Sequence, residues 1–329
     1  CFVYNQEKGK EPTCEMTFFA HSSDKAYPSR VYADMMLNDK KGSHPLITRL
    51  EAPGSSYLYN DFYHHGVAFE SELTAYRIYF DERQNIDLYG KKSRRLELKD
   101  TGFYTTEEQT SAGYGCDVLW AGSSVGCGSL KLWDGQKPVN WSSVKTRGQR
   151  LVACGPVRNV VEVTDLSCDV GASEPYDVRT VYTQWAGHRE VRVDVVLDRP
   201  AETPFLCTGV QKIGNSGEAF SKNGGVKSEG FVTPAGLAAS WGSDYPEMGK
   251  KDVFPPEAVG LAVVVPGEFV SATQTDELNY LIVLGKPGQQ HFYYHVLFGA
   301  AKETDGCHDA AEWFKYVKGL RFPAADSSK

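Results

Sequence analysis

The sequence predicts an all-β fold, a large antiparallel sandwich with one short helix near the C-terminus, and three observations lead there. Short β-rich runs bounded by Gly, Pro, Asn and Asp recur along all 329 residues. Many of these runs alternate with period two: Val191, Val193 and Val195 face one way, while Arg192, Asp194 and Val196 face the other. No long helical pattern separates consecutive strands, which excludes a parallel βαβ sheet.

In chain order the expected strands are Glu15–Ala20, Leu73–Phe80, Arg94–Leu98, Val118–Ala121, Arg150–Cys154, Asn159–Val163 and Val178–Trp185. Glu190–Leu197, Pro204–Ile213, Leu237–Trp241, Val259–Val265, Tyr280–Leu284 and Gln290–Phe298 follow. Turn signals stand between them, among them Asp134-Gly135, Gly-Asn-Ser-Gly at 214–217, Asn-Gly-Gly at 223–225 and Lys286-Pro287-Gly288. The one clear helix covers 305–317, with Trp313, Tyr316 and Val317 on one face. Ser29–Leu37 reads as a second short helix or, through Arg30-Val31-Tyr32, as a strand. The last residues, 324–329, read as a frayed tail. No linker or repeat divides the chain, so one domain over 1–329 is expected.

The formal net charge of -7 argues against a nucleic-acid partner. An anionic substrate remains compatible, because local charge opposes net charge in many clefts. The basic run Lys91-Lys92-Ser93-Arg94-Arg95 reads most plainly as a solvated turn or strand end. No apolar stretch is long enough to span a membrane. The first residue is Cys rather than Met, which suggests a processed chain. Cys1 stands where a lipidated cysteine would, or merely where the ordered chain begins. The eight Cys are widely spaced and lack a C-x-x-C pair, so they read as buried small hydrophobes, with one or two disulfides if the protein is exported.

The densest unusual segment runs from Tyr57 to Ser71 and holds His64, His65 and Glu70 among four aromatic residues, Tyr57, Tyr59, Phe62 and Tyr63. Adjacent histidines in a strand point to opposite faces, so one of the pair is expected in a cleft. The plainer reading of such a pair is a loop with surface histidines. Alternation next sets Arg77 and Tyr79 on one face, with Tyr76, Ile78 and Phe80 on the other as core. A cation beside a phenol holds a carboxylate and moves a proton; a solvent-facing cross-strand pair is the bland alternative. Asp87, Tyr89 and Lys91 then share a face. Five glycines between Ser111 and Leu130 lack the phosphate-loop spacing and fit tight turns. His188, His291 and His295 are further candidates, each more ordinarily structural. Zincin, α/β-hydrolase and kinase motifs are absent.

The ordered series His65-Gly66-Val67-Ala68-Phe69-Glu70-Ser71, Ala75–Asp81, Ile86–Lys91, Gly115–Leu119 and Gly126-x-Gly128 resembles a family of exported Bacteroidetes proteins from polysaccharide utilisation loci. That family is labelled a domain of unknown function and includes an ulvan oligosaccharide dehydratase. The motifs cover about residues 64–130, and Phe69, Tyr114 and Cys116 depart from the pattern. The resemblance implies a supersandwich of the galactose-mutarotase-like kind. It also implies export, to the periplasm or a lipid anchor, and carbon–oxygen elimination at a terminal uronic acid.

That chemistry needs a cation to neutralise the uronate, a base for the C5 proton and an acid for the departing C4 oxygen. By residue type and position the expected catalytic set is Arg77 as clamp, His64 or His65 as base, and Tyr79 or Tyr114 as acid. Glu70, Asp87, Lys91, Trp120 and His188 are expected substrate contacts, and Trp133 is a second candidate for stacking on sugar. No cofactor is required, and a structural Ca or Zn ion is compatible. A monomer or homodimer acting on an anionic oligosaccharide is expected. Two other classes stand beside this one: a non-catalytic carbohydrate-binding protein, and a glycoside hydrolase using paired carboxylates such as Glu70 and Asp117.

Overall fold

A computed structural model describes residues 2–5, 13–20, 28–39, 42–214, 228–246 and 255–322. Cys1, the turn signals at 215–217 and 223–225, and the 324–329 tail lie outside the described residues. The fold is an all-β sandwich with a short helix near its C-terminus.

One layer is a ten-stranded sheet. Its spatial order is Glu229–Val232, Leu237–Asp244, Glu257–Val264, His291–Ala300, Val191–Leu197, Tyr176–Trp185, Arg158–Cys168 and Thr146–Cys154. Arg49–Pro53 and Phe18–Phe19 both pair with Thr146–Cys154, and only the Phe18–Phe19 pairing is parallel. The facing layer is made of two five-stranded sheets. The first orders Val31–Asp34, Gly66–Ser71, Thr74–Tyr79, Ile86–Gly90 and Cys116–Asp117, and it packs across the Thr146–Cys154 half of the large sheet. The second orders Pro138–Val139, Lys131–Trp133, Leu206–Gln211, Asn279–Leu284 and Val270–Thr275, and it packs across the opposite half.

Alternation drives this packing. Along Val191–Leu197 the residues strictly alternate buried and half-buried, and Val191, Val193, Val195 and Leu197 join an apolar cluster that runs between the layers. His291–Ala300 is buried at nine of its ten positions because both its faces are covered. Val296 and Phe298 point into the sandwich, whereas Leu297 points to the outer face. There the helix Ala310–Gly319 lies against Leu237–Asp244 and Glu257–Val264.

Asp309 caps that helix, accepting a hydrogen bond from the Glu312 amide at 2.8 Å. The cap places the helix start after the 305–309 segment that the sequence pattern includes. Trp313 and Val317, one turn apart, are buried against the sheet, while Tyr316 is 38% exposed rather than sharing their face. Trp313 fits because the sheet is bare beneath it: a methyl on Gly260 would sit 2.4 Å from its Cδ2. Its indole donates to the Leu261 carbonyl at 3.2 Å.

Three local expectations change. Arg94–Leu98 is not a strand, because the Glu97 and Leu98 amides turn inward to the Glu70 carboxylate. Val118–Ala121 is not a strand; the strand in this region is Cys116–Asp117, just before it. The Ser29–Leu37 ambiguity resolves to the strand Val31–Asp34, and a second, five-residue helix, Glu107–Ser111, is closed by a reciprocal Thr106–Gln109 capping box. Among the described residues, the cysteines at 116, 127, 154, 168, 207 and 307 are unpaired, and no helix is long and apolar enough to cross a membrane.

Trp313→Ala is expected to destabilise the protein by about 3–5 kcal/mol, the usual cost of removing a fully buried indole. Urea unfolding monitored by circular dichroism measures it; a loss below about 1 kcal/mol would show that the helix is not stabilised through this contact.

Candidate functional site

The two five-stranded sheets leave a cleft of about 750 Å³ between them. The first sheet contributes Tyr79, from the end of its third strand, and Asn85 and Asp117. The second contributes Lys131, Pro138 and Val139. Tyr59, Phe103, Tyr104 and Trp120 add aromatic walls, and Arg83 and Lys137 add cations.

Behind Tyr59, Tyr79 and Phe103 stands His65. Its ring stacks on Tyr59 at 3.7 Å between centroids and 2° between planes, and meets Phe103 edge-on at 4.0 Å. Its backbone is left-handed, with φ 63°, an uncommon conformation for a non-glycine residue that tends to mark turns and functional sites. Two backbone bonds hold it: His65 N donates to Phe62 O at 3.2 Å, and Phe80 N donates to His65 O at 2.8 Å. Nδ1 lies 2.9 Å from the Tyr59 carbonyl oxygen. A carbonyl only accepts, so Nδ1 carries the proton and Nε2 keeps its lone pair. Burial lowers the His65 pKa to about 4, so the imidazole is uncharged at neutral pH.

Tyr79 has the opposite proton status. Burial, reinforced by Asp87, raises its pKa well above the ordinary phenol value, and its hydroxyl donates to Asp87 Oδ1 at 3.1 Å. Asp87 is held by Arg77, its direct cross-strand neighbour, through an ion pair. Arg77 Nη1 donates to the Phe103 carbonyl, and the Phe103 ring covers the guanidinium at 3.9 Å. Arg77 and Tyr79 thus do share a face with Asp87, but Arg77 is fully buried and does not line the cleft. The cleft's accessible cations are the exposed Lys137 and the half-buried Arg83, of which Arg83 is built into the aromatic wall. It is anchored to Asp81, lies over the Tyr59 and Tyr79 rings at 4.9 and 5.3 Å, and keeps a side chain 33% exposed.

Lys131, like Arg83, is a cleft residue that the sequence left unmarked. It is buried, and its Nζ donates to Arg83 O, to Asn85 Oδ1 at 2.8 Å and to Asn140 Oδ1 at 3.1 Å. Because an ammonium accepts nothing, it fixes both amide oxygens inward and turns both NH₂ groups away from itself. Burial lowers its pKa to about 7. No motif signals it. A lysine at a strand start looks like any solvated strand end, and only the approach of the other small sheet buries it.

Several expected contacts lie elsewhere. His64 is fully buried in the first sheet's interior, 3.9 Å from Asp34, because the turn at His65 sends the adjacent side chain the other way. Glu70 and Lys91 face each other and not a substrate. Lys91 Nζ donates to Glu70 and to the Ser71 and Arg95 carbonyls, and the Glu97 and Leu98 amides occupy the other Glu70 oxygen. That arrangement leaves Glu70 no role beside Asp117 as one of two catalytic carboxylates. Tyr114 packs under Arg95 at 3.8 Å, and His188 pairs with Glu190 at 2.6 Å on the exposed surface. Of the expected residues, Tyr79, Asp117 and Trp120 line the cleft, with Asp87 and His65 directly behind. Among the described residues, no group of three or more His, Cys, Asp or Glu side chains is placed to hold a metal ion.

A family model described as a domain of unknown function (DUF4861) matches residues 1–322. No curated protein matches the chain.

The buried Asp34–His64 pair gives a pH signature. Burial raises Asp34 from 3.8 to about 8 and lowers His64 from 6.5 to about 3. Asp34 therefore contributes stability that is present below 3.8 and lost as pH rises through about 8. His64 contributes stability that is present above 6.5 and lost as pH falls toward about 3. Between 3.8 and 6.5 the two offset each other, so the distinguishing window is 6.5 to 8. There wild type is expected to lose stability relative to Asp34→Asn by up to about 2 kcal/mol. Urea midpoints of both proteins at the two ends of that window decide it; parallel curves would mean that Asp34 is ionised in the fold.

Proposed function

The chain belongs to the DUF4861 family, and from that premise we propose that it is a carbon–oxygen lyase acting at a terminal uronic acid of an anionic, ulvan-like oligosaccharide. The observation that carries the reading is one of proton status. An uncharged imidazole with a free Nε2 and a fully protonated phenol stand 5.9 Å apart between ring centroids, the phenol lining and the imidazole directly behind the wall of a cleft that also presents Arg83. Environments that push two titratable groups to opposite states are what acid–base chemistry requires.

In this reading Arg83, with the amide donors of Asn85 and Asn140 set by Lys131, binds the uronate carboxylate. Neutralising that charge makes the C5 proton acidic. His65 Nε2 removes it, and the electron pair forms the C4–C5 double bond as the C4–O bond breaks. Tyr79, turning its hydroxyl from Asp87, protonates the departing oxygen, which leaves as water or as a sugar alcohol. The Arg77–Asp87 pair acts by positioning Tyr79. Tyr59, Phe103, Tyr104 and Trp120 offer faces for the sugar rings. The same reading places the protein outside the cytoplasm, where such oligosaccharides are met.

Incubation with uronate oligosaccharides from ulvan, alginate, pectin and glycosaminoglycans, followed by ultraviolet absorbance of the unsaturated product, tests this. His65→Ala and Tyr79→Phe are each expected to lower kcat/KM by about 100-fold or more while the fold is retained. On the acid side the wild-type rate is expected to fall as pH drops through about 4, because the base is active when unprotonated. Binding without turnover on every substrate would reassign the cleft to carbohydrate recognition alone.

A further inference from the structure

Away from the cleft floor, three reactive side chains from different elements converge. Cys116 belongs to the last strand of the first small sheet, Glu257 opens a strand of the large sheet, and Lys302 follows the strand His291–Ala300. Lys302 Nζ lies 2.7 Å from Cys116 Sγ and 2.8 Å from Glu257 Oε1, and that carboxylate oxygen is 3.5 Å from Sγ. The nitrogen–sulfur separation is shorter than the van der Waals contact of the two atoms. It matches the span imposed by one oxygen bonded to both.

We propose that Cys116 and Lys302 form a peroxide-driven crosslink, with a single oxygen bridging Sγ and Nζ. The geometry supplies each part. Glu257 is placed to take the thiol proton, and the Lys302 ammonium stabilises the thiolate. The side chains of Lys302 and Glu257 are 13% and 15% exposed, so a small oxidant reaches the group while bulkier thiols are hindered. Burial pushes the Cys116 thiol up to about 11, which keeps it reduced at rest and makes sustained peroxide the trigger.

The chemistry balances with two equivalents of hydrogen peroxide. The thiolate attacks the first, the O–O bond breaks, and Cys116–SOH and water form. Once Glu257, 2.8 Å from Nζ, has taken the extra proton of the Lys302 ammonium, the second removes two more electrons as the sulfenic O–H and one N–H of the Lys302 amine are lost and an O–N bond closes. Thiol, amine and two peroxides give S–O–NH and three waters. The bridge ties the strand that carries Asp117, on the cleft wall, to the large sheet, so it stiffens one side of the cleft.

The test treats the full chain with hydrogen peroxide and measures intact mass and peptide maps. The expected result is a gain of about 14 Da joining the peptides that hold Cys116 and Lys302, reversed by dithiothreitol with return of the thiol. Both Cys116→Ser and Lys302→Arg abolish it, and the oxidised wild type melts higher than the reduced one, a difference absent in Lys302→Arg. Gain at Cys116 of whole oxygen atoms only, a direct S–N bond with loss of two hydrogens, an unmodified Cys116, or the same product in Lys302→Arg would each overturn the proposal. None of these readouts depends on turnover, so the result stands apart from the lyase reading.

Discussion

Arg77 and Asp87 face each other across neighbouring strands, sealed from water, and the cleft side of the first sheet is organised around them. Each charge alone would be costly to bury, and removing one partner of such a pair commonly costs about 3–5 kcal/mol. The pair is tolerated because further partners hold both of its members. Arg77 also donates to the Phe103 carbonyl and lies under the Phe103 ring, and Asp87 accepts from Tyr79. Those same bonds fix the loop that carries Phe103 and the orientation of the Tyr79 phenol. A structural ion pair thereby sets the position of two residues that line the cleft.

The same device recurs around it. Lys91 and Glu70 form a second buried pair that pins the turn at Glu97 and Leu98. Arg147 and Asp165 form a third, 3.4 Å apart, with Gln84 donating to Asp165 at 2.6 Å. These pairs lock loops and strand ends that a sandwich core of alternating valines cannot hold, because loop backbone has polar groups to satisfy and few side chains to bury. The layers themselves rest on apolar burial, and the loops between them rest on ionic contacts.

Low dielectric then has two consequences at the cleft. It keeps His65 without a proton and Tyr79 with one, and it lowers Lys131 toward neutrality while three oxygens hold its ammonium. Each group's state depends on neighbours from other segments of the chain: Tyr59 for His65, Asp87 for Tyr79, and Asn85 and Asn140 for Lys131.

The sequence by itself determined the all-β class, most strands and the late helix, because alternation and helical spacing are local patterns tied to burial of one face. It also marked Tyr79 and Asp87, since alternation from an apolar face says which side a polar residue takes, and it offered Trp120 as an aromatic for stacking on sugar. It missed the Thr106–Gln109 capping box and the irregular run at 94–98, where hydrogen bonds override propensity. Only the tertiary structure decided which charges are consumed. Arg77, Lys91 and Glu70 look like binding residues in a linear reading and become internal struts once their partners arrive, and Lys131 becomes a cleft residue because a second sheet closes over it. Such outcomes depend on contacts between residues ten to a hundred positions apart, which no local pattern records.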